Sequence, residues 1–242
     1  NLILHLPAVA HAVKEKIMKV EDWIRINKLT PRLVDVLPNG PKGFPTSVFF
    51  SAGGVPEVML KLRNEGLLNL DVVTSTGLTL KENLDWWEQS EKRDFVRKQL
   101  KDSRNIDPQD VIHSLKNSNK NNMTSTVTFP KGNIAPEGSV VKSTAIDKTV
   151  IDDDGVYRKI GPARIFISEA DAIKAVKDKG ANGVKAGDIM VIACGGPKGT
   201  GMQEVAQITI ALKYLSYGKE VALITDGRFS GVSTGACIGH IG

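Results

Sequence analysis

The sequence predicts an α/β protein whose first half is helical and whose second half is rich in short strands. Aromatic residues make up only 5% of the 242 residues and 23 residues are glycine, which is typical of an aliphatic, loop-rich α/β protein rather than a coiled coil. Apolar residues recur at helical spacing in the first half, whereas short apolar runs bounded by glycine, proline or aspartate dominate the second. We therefore expect a β-rich α/β domain in the second half, for which a barrel is one arrangement.

The first half begins with a predicted helix and a long connection. Residues 1–19 form this helix, because their apolar side chains fall on one broad face, and Pro7 marks a bend or a restart. The proline- and glycine-rich connection that follows, 31–56, is of the kind that often lines sites in folded domains. A second helix begins near Pro56 and stops at Gly66.

The third predicted helix begins at Thr79, whose spacing to Glu82 is that of a capping box. It carries Trp86 and Trp87. We expect both tryptophans to be core or interface residues rather than ligand contacts.

A polar segment separates the two halves. Residues 114–122 are mostly serine, asparagine and lysine and show no apolar periodicity. We place the domain boundary in this segment, with residues 1–117 in one domain and 118–242 in the next.

Strands and two helices are predicted beyond that boundary. One helix follows Ser168, with Asp171 completing a cap, and ends at Gly180. The other runs from about Met202 to Tyr217. The strands are expected at 125–129, 139–143, 163–167, 188–194 and 220–225.

Glycines are concentrated where chemistry is expected, since 13 of the 23 lie between Gly180 and Gly242. Loop 195–204 follows a predicted strand and opens a helix, so its backbone N–H groups could face an anion. It lacks the P-loop ending and the dinucleotide-binding spacing, which disfavours a nucleotide site. Glu204 would lie in the first turn of the helix, where the helix dipole alone explains a carboxylate, or it would bind a metal ion.

Ser230 is the candidate nucleophile or base of the next glycine-rich loop, 225–235. The segment has no GxSxG motif, and none of the four histidines lies in a triad-like context, so a nearby cation would have to activate the serine. Alternatively, Ser230 is a local cap in a polar turn. Asp226 and Arg228 could likewise form an ion pair that holds the loop.

Composition excludes several classes of protein. The 32 basic and 27 acidic residues are spread along the chain without a basic segment, so we expect no nucleic-acid partner. No apolar run approaches the roughly 18 residues of a membrane span. Cys194 and Cys237 lack CxxC spacing and no signal peptide precedes them, which argues against a disulfide framework and favours the cytoplasm. Without an initiator methionine, the chain is expected to be a fragment of a longer one.

Five segments together resemble one known family. In order they are NLILHLPAVAH, AGGVP, GNIAPEG, GPKG followed by GM and Glu204, and TDGRFSG. This order resembles the dihydroxy-acid and phosphogluconate dehydratases, which are iron-sulfur hydro-lyases. Within that family, EDWIRINK, VLPNG, TLKENLDWWE and GVSTGACIGH are most similar to the sugar-acid branch that includes D-xylonate dehydratases.

The resemblance implies an architecture and a set of site residues. The chain would hold the C-terminal part of a large α/β domain, followed by a smaller β-barrel-like α/β domain. The cysteines of the iron-sulfur cluster and most of the Mg²⁺ ligands would lie outside it. Glu204 matches the family's magnesium-binding glutamate, Ser230 matches its proposed catalytic base, and Ser233 and Thr234 would donate hydrogen bonds to the substrate carboxylate.

The implied activity is removal of water from a 2,3-dihydroxy acid, D-xylonate or a close relative, to give a 2-oxo-3-deoxy acid. The full protein would be a homodimer or homotetramer, and this fragment alone would be inactive. Two alternatives stay open: a dihydroxy-acid dehydratase of branched-chain amino-acid synthesis, and a non-catalytic anion-binding module that uses loop 195–204.

Overall fold

A computed structural model describes residues 2–15, 18–230 and 233–242. The chain divides into two compact units, Lys28–Ser125 and the combination of Asn1–Asn27 with Thr126–Gly242. The predicted boundary between residues 117 and 118 stays a prediction.

Helices and strands are numbered here in chain order. The described helices are α1 (Leu2–Ala12), α2 (Val20–Leu29), α3 (Thr46–Ser51), α4 (Gly54–Asn64), α5 (Leu80–Glu88), α6 (Glu91–Arg104), α7 (Pro108–Val111), α8 (Leu115–Lys120), α9 (Glu169–Lys177), α10 (Pro197–Thr200) and α11 (Ala206–Lys213). The described strands are β1 (Val140–Val141), β2 (Ala163–Phe166), β3 (Ile189–Ile192), β4 (Ala222–Thr225) and β5 (Ala236–Gly239). The chain is thus a mixed α/β protein, as predicted. Within the described residues, no helix combines the length and the apolar character that crossing a membrane requires.

The five strands form one sheet in the order β1-β5-β4-β3-β2. Strands β2 to β5 are parallel to their neighbours, and β1 pairs with β5 antiparallel at one edge. Side chains on one face join α9 and α11 in the main core of this unit, with Met190, Leu223 and Ile208 at most 1% exposed. Because strand side chains alternate between faces, this core fixes the register of β3 and β4.

The predicted strands form with shorter bounds, except for the first. Residues 125–129 contribute only an isolated bridge between Thr128 and Val141. Strand β5 was not predicted. Its segment reads as a run of small residues between glycines, and its place in the sheet comes from parallel pairing with β4, which is not a local signal.

Both predicted helices of the second half are shorter than expected. Ser168 caps α9 as predicted, since its side chain accepts a hydrogen bond from the Asp171 N–H group, but the helix ends at Lys177. The helix expected from Met202 begins only at Ala206, because Met202 has a φ of 66°, outside the helical region, and Glu204 forms a parallel bridge with Arg228.

The helices of the first half also differ from expectation in their bounds. Helix α1 ends at Ala12 and contains Pro7. The capping box of α5 is confirmed: Thr79 Oγ1 accepts from the Glu82 N–H group at 3.2 Å, and Glu82 Oε2 accepts from the Thr79 N–H group at 2.7 Å. Trp87 is buried against neighbouring leucines as predicted, whereas Trp86 is 63% exposed.

A buried ion cluster explains the AGGVP motif of unit Lys28–Ser125. Glu57 is completely buried and pairs with Arg93 at 2.8 Å and with Arg97 at 3.3 Å. A side chain at Gly53 would collide with that of Glu57, and Gly53 also has a φ of 118° that favours glycine. In this motif the glycine therefore makes room for a structural ion pair.

The polar segment 114–122 is folded. Ser114 caps α8 by accepting from the Asn117 N–H group, and Ser118 is completely buried. This polar segment therefore forms a short helix without apolar periodicity, since a cap and one buried side chain hold it.

Candidate active site

Two loops meet at the carboxyl edge of the sheet. Strands β3 and β4 are adjacent and parallel, so the loops that follow them leave the same edge. Asp226, the first residue after β4, accepts hydrogen bonds from the Gly195 N–H group at 2.9 Å and from the Gly196 N–H group at 3.1 Å. The Asp226 carboxylate therefore binds the backbone of loop 195–204, a contact that the sequence did not suggest.

The predicted metal ligand Glu204 lies beside the segment that leads to Ser230. Glu204 forms a parallel bridge with Arg228, in which the Val205 N–H group donates to the Arg228 carbonyl oxygen at 2.9 Å. Glu204 is partly buried and precedes α11, so the expectation that it lies in the first turn of a helix was wrong. Glu204 thus lies just outside the N-terminus of α11, and its role as a metal ligand stays a prediction.

Ser230, the predicted base, follows Arg228 by two residues and is partly buried. Its carbonyl oxygen accepts a hydrogen bond from the Ser233 N–H group at 2.9 Å. Gly231, the last residue of the TDGRFSG motif, and Val232 lie outside the described residues. The structure thus brings the backbone of Glu204 close to the segment of Ser230, which the sequence alone did not reveal.

Ser233 and Thr234 lie further along loop 226–235, which connects β4 to β5. Because β4 and β5 are parallel, loop 226–235 returns from the carboxyl edge to the amino edge of the sheet. Ser233 is buried, and its hydroxyl shares a hydrogen bond with that of Thr209 at 2.9 Å. Thr234 lies beside a cavity of about 430 Å³ at the amino edge. Three of the four predicted site residues are therefore spread along loop 226–235, Glu204 lies on loop 195–204, and the substrate-binding roles of Ser233 and Thr234 stay predictions.

Lys142 is a buried residue of this region to which the sequence reading gave no role. Its ammonium group donates to the Ser233 carbonyl oxygen at 3.3 Å, and burial lowers the pKa of the side chain. The available signal was a lone charge in the alternating strand 139–143. Lys142 and Thr209 together hold the middle of loop 226–235.

His240 directly follows β5 and contacts the start of loop 226–235. Its N–H group donates to the Gly227 carbonyl oxygen at 2.7 Å. Burial lowers the pKa of the imidazole to about 4, and nearby positive charge, including that of Arg228, acts in the same direction. At neutral pH the side chain is therefore uncharged.

The resemblance matches neither cysteine to a ligand of the iron-sulfur cluster, and the structure adds a chemical reason for Cys237. Cys194 is exposed, and Cys237 is buried in the core, where burial raises its pKa to about 12. Cluster ligands are thiolates, so a thiol held protonated in an apolar core is unsuited to that role. Across the described ranges, no three His, Cys, Asp or Glu side chains group closely enough to hold a metal ion. The carboxylate oxygens of Glu204 are of the type that Mg²⁺ prefers, and they fit one position of a site completed from elsewhere.

Comparison with known proteins identifies the family. The C-terminal model of the dihydroxy-acid/6-phosphogluconate dehydratases matches residues 110–242, and the corresponding N-terminal model matches residues 1–83. The chain belongs to the dihydroxy-acid/6-phosphogluconate dehydratase family. Both glycine-rich loops of the candidate site lie within the C-terminal match of this dehydratase family.

Two relatives in this dehydratase family are D-xylonate dehydratases of Escherichia coli (strain K12). YjhG is 60% identical and YagF is 57% identical, each over the whole chain and over 36% of its own length. A dihydroxy-acid dehydratase of Picrophilus torridus is 38% identical over the whole chain and 38% of its own length. The chain thus spans somewhat more than a third of the length of these curated relatives.

Proposed function

We propose that the full protein is a sugar-acid dehydratase that removes water from a 2,3-dihydroxy acid, D-xylonate, to give a 2-oxo-3-deoxy acid. The observation that carries the proposal is the backbone bridge between Glu204 and Arg228. This bridge brings Glu204, whose carboxylate is of the kind that binds Mg²⁺, to the segment that contains Ser230. The identity of 57–60% to two D-xylonate dehydratases supports the substrate class.

In this proposal Ser230 removes the proton from C2 of the substrate. Such a proton is hard to remove, because the neighbouring carboxylate already carries negative charge. When bound, Mg²⁺ would supply positive charge that stabilises the enolate and lowers the pKa of a nearby hydroxyl group. Glu204 would hold this ion, and Ser233 and Thr234 would donate hydrogen bonds to the substrate carboxylate.

Further features of the full protein belong to the same proposal. An iron-sulfur cluster would take its ligands from outside this chain, because the resemblance matches neither Cys194 nor Cys237 to a cluster ligand. The unit containing the sheet would be part of a β-barrel-like domain, and the domain boundary would fall between residues 117 and 118. We propose a homodimer or homotetramer in the cytoplasm, and we expect this chain by itself to be inactive.

One observation argues against the anion-binding alternative. An anion bound by loop 195–204 would need the free N–H groups of Gly195 and Gly196, but both donate to the Asp226 carboxylate. The protein thus supplies its own anion at this position. The branched-chain alternative is favoured less, since the dihydroxy-acid dehydratase of Picrophilus torridus is only 38% identical.

The decisive experiment measures 2-oxo acid formation from D-xylonate by the full-length protein, purified anaerobically and supplied with Mg²⁺. Removal of a general base costs about 10²–10⁴-fold in rate, so Ser230→Ala is expected to lower kcat by at least about 100-fold with little change in KM. Ser103→Ala is the matched control, because Ser103 is exposed on α6 in the other compact unit. Its kcat should equal that of the wild type.

Two outcomes would contradict the proposal. Retained turnover in Ser230→Ala would remove Ser230 as the base. Absence of turnover on any dihydroxy acid, in a wild-type protein with an intact cluster, would leave only membership of the family.

A further inference from the structure

We propose that Asp226 is a positioning residue of the dehydratase, whose carboxylate fixes the loop of Glu204 against the loop of Ser230. The inference rests on the function proposed above. It concerns a residue that carries no role in the proton transfer itself.

The contact between Asp226 and loop 195–204 is built from two hydrogen bonds. Oδ1 accepts from the Gly195 N–H group at 2.9 Å and Oδ2 accepts from the Gly196 N–H group at 3.1 Å. Hydrogen bonds to a charged acceptor are roughly twice as strong as neutral ones, and two parallel bonds fix orientation as well as distance. The Asp226 side chain, which follows β4, thereby fixes the backbone position of Gly195 and Gly196 after β3.

The two loops are joined a second time at the far end of loop 195–204. There Val205 donates to Arg228, and Arg228 donates to Gln203 at 3.5 Å. Between these contacts, Thr200 Oγ1 donates to the Gly195 carbonyl oxygen at 2.9 Å and accepts from the Gln203 N–H group at 3.1 Å. The stretch that leads to Glu204 is thus attached to 226–228 at both ends and braced in the middle.

Gly196 of this loop has a spatial reason. A Cβ atom at Gly196 would lie 3.2 Å from Asp226 Oδ2, and one at Gly195 would lie 3.5 Å from Oδ1. The φ of Gly196 is −73°, which any residue adopts, so close approach of the carboxylate is the constraint at this position. Gly196 therefore serves the Asp226 contact, whereas the 3.5 Å at Gly195 is an ordinary van der Waals distance.

The consequence concerns the relation of Glu204 to Ser230. Misplacement of a reacting group by about 1 Å can cost about 100-fold in rate. Without the Asp226 bonds, the hydrogen bonds between loop 195–204 and residues 226–228 would be those at Gln203 and Val205, at the far end of the loop. We therefore expect loss of Asp226 to weaken Mg²⁺ binding through Glu204 and to slow turnover, with little effect on substrate binding.

The test uses Asp226→Asn in the full-length protein. Asparagine keeps the shape but replaces one acceptor oxygen by an NH₂ group, so one backbone N–H group loses its partner. Amide hydrogen exchange across 194–205 should become at least about tenfold faster, while β3 and β4 keep their protection. The dissociation constant for Mg²⁺ alone, from calorimetric titration, should rise about tenfold, and kcat should fall at least about tenfold at nearly constant KM.

Three further variants serve as a control and as comparisons for Asp226→Asn. Asp178→Asn is the matched control, since Asp178 also accepts a backbone N–H group, that of Gly180 at 2.7 Å, away from both loops. It should change local exchange only. Glu204→Gln sets the size of the direct metal effect. Gly196→Ala strains the same contact while keeping the charge, so it should reproduce the Asp226→Asn effects in smaller measure even if Asp226→Asn folds poorly.

The outcomes separate this proposal from the proposed function. Unchanged exchange in Asp226→Asn, or faster exchange with wild-type Mg²⁺ affinity and kcat, would overturn the positioning role. A wild-type protein that binds no Mg²⁺ would overturn it as well. A wild-type protein that binds Mg²⁺ but does not convert D-xylonate would refute the proposed function alone, and the exchange and titration results would still decide the role of Asp226.

Discussion

At the scale of single residues, His240 has the most distinctive ionisation in the candidate site. The imidazole is partly buried just after β5, and burial is the main cause that lowers its pKa to about 4, while nearby positive charge, including that of Arg228, acts in the same direction. In the unfolded chain a histidine titrates near pH 6.5. Between pH 6.5 and 4 the unfolded state therefore binds a proton that the folded state does not, so stability is complete above pH 6.5 and falls as the pH decreases.

This difference predicts the effect of His240→Asn. Asparagine does not titrate, and it tolerates the left-handed backbone of this position, where φ is 53°. Between pH 7.5 and 4 the wild type should lose on the order of 2 kcal/mol more stability than the variant. Urea unfolding at several pH values measures this difference. Parallel pH profiles in the two proteins would show that His240 is not held neutral.

Residue types alone indicated some site residues and not others. Glu204 and Ser230 were predicted from motifs, whereas the bonds of Asp226 to loop 195–204 were not predicted. Its partners are backbone N–H groups some 30 positions earlier. Every residue except proline has a backbone N–H group, so the sequence does not show which of these groups Asp226 binds. The contact is visible only in the folded chain.

At the scale of elements, the turn from α11 to β4 depends on Gly218. A Cβ atom there would overlap the carbonyl oxygen of Leu212, which belongs to the helix itself. Neither the backbone nor the neighbouring core residue Val221, which is 2% exposed, can move freely. The close approach of helix and strand therefore requires a residue without a side chain.

We expect Gly218→Ala to lower the free energy of unfolding by about 3 kcal/mol, the upper end of the usual cost of overpacking. Gly132→Ala is the control, because nothing lies within 4 Å of its Cβ position, and it should stay within about 0.5 kcal/mol of the wild type. Denaturant unfolding distinguishes the two. Equal free energies of unfolding for Gly218→Ala and Gly132→Ala would show that the turn from α11 to β4 accommodates a side chain at residue 218.

Elements defined by local signals were predicted better than elements defined by pairing. The caps at Thr79 and Ser168 are local hydrogen bonds and were confirmed. Strand β5 forms because it pairs with β4, and the bridge of Glu204 forms because it pairs with Arg228. Both partners are distant in sequence. For the same reason the helix expected from Met202 lost its first turn.

At the scale of the whole molecule, the proposed activity predicts a substrate preference. The full-length protein should have a kcat/KM for D-xylonate at least about tenfold higher than for the dihydroxy-methyl acid of branched-chain synthesis, because one polar group left unpaired in a site costs at least that much. Steady-state assays of 2-oxo acid formation with both acids decide this. The reverse preference would favour the branched-chain alternative.

The family and the mixed α/β class followed from the order of motifs and the composition, and both were confirmed. The division into compact units did not follow from them. Residues 1–27 belong with the sheet-containing unit despite their distance in sequence. Hydrophobic periodicity describes single elements, and it carries no information on which distant elements share a core.

The contrast between the two cysteines has a practical consequence. Alkylating reagents attack the thiolate, and Cys237 is 4% exposed with a pKa near 12, so it is shielded from them while the sheet is intact. Cys194 is exposed and accessible in the folded chain. Modification at Cys237 therefore requires β5 to leave the core, and the ratio of the two modifications reports how often the sheet opens, with no added label.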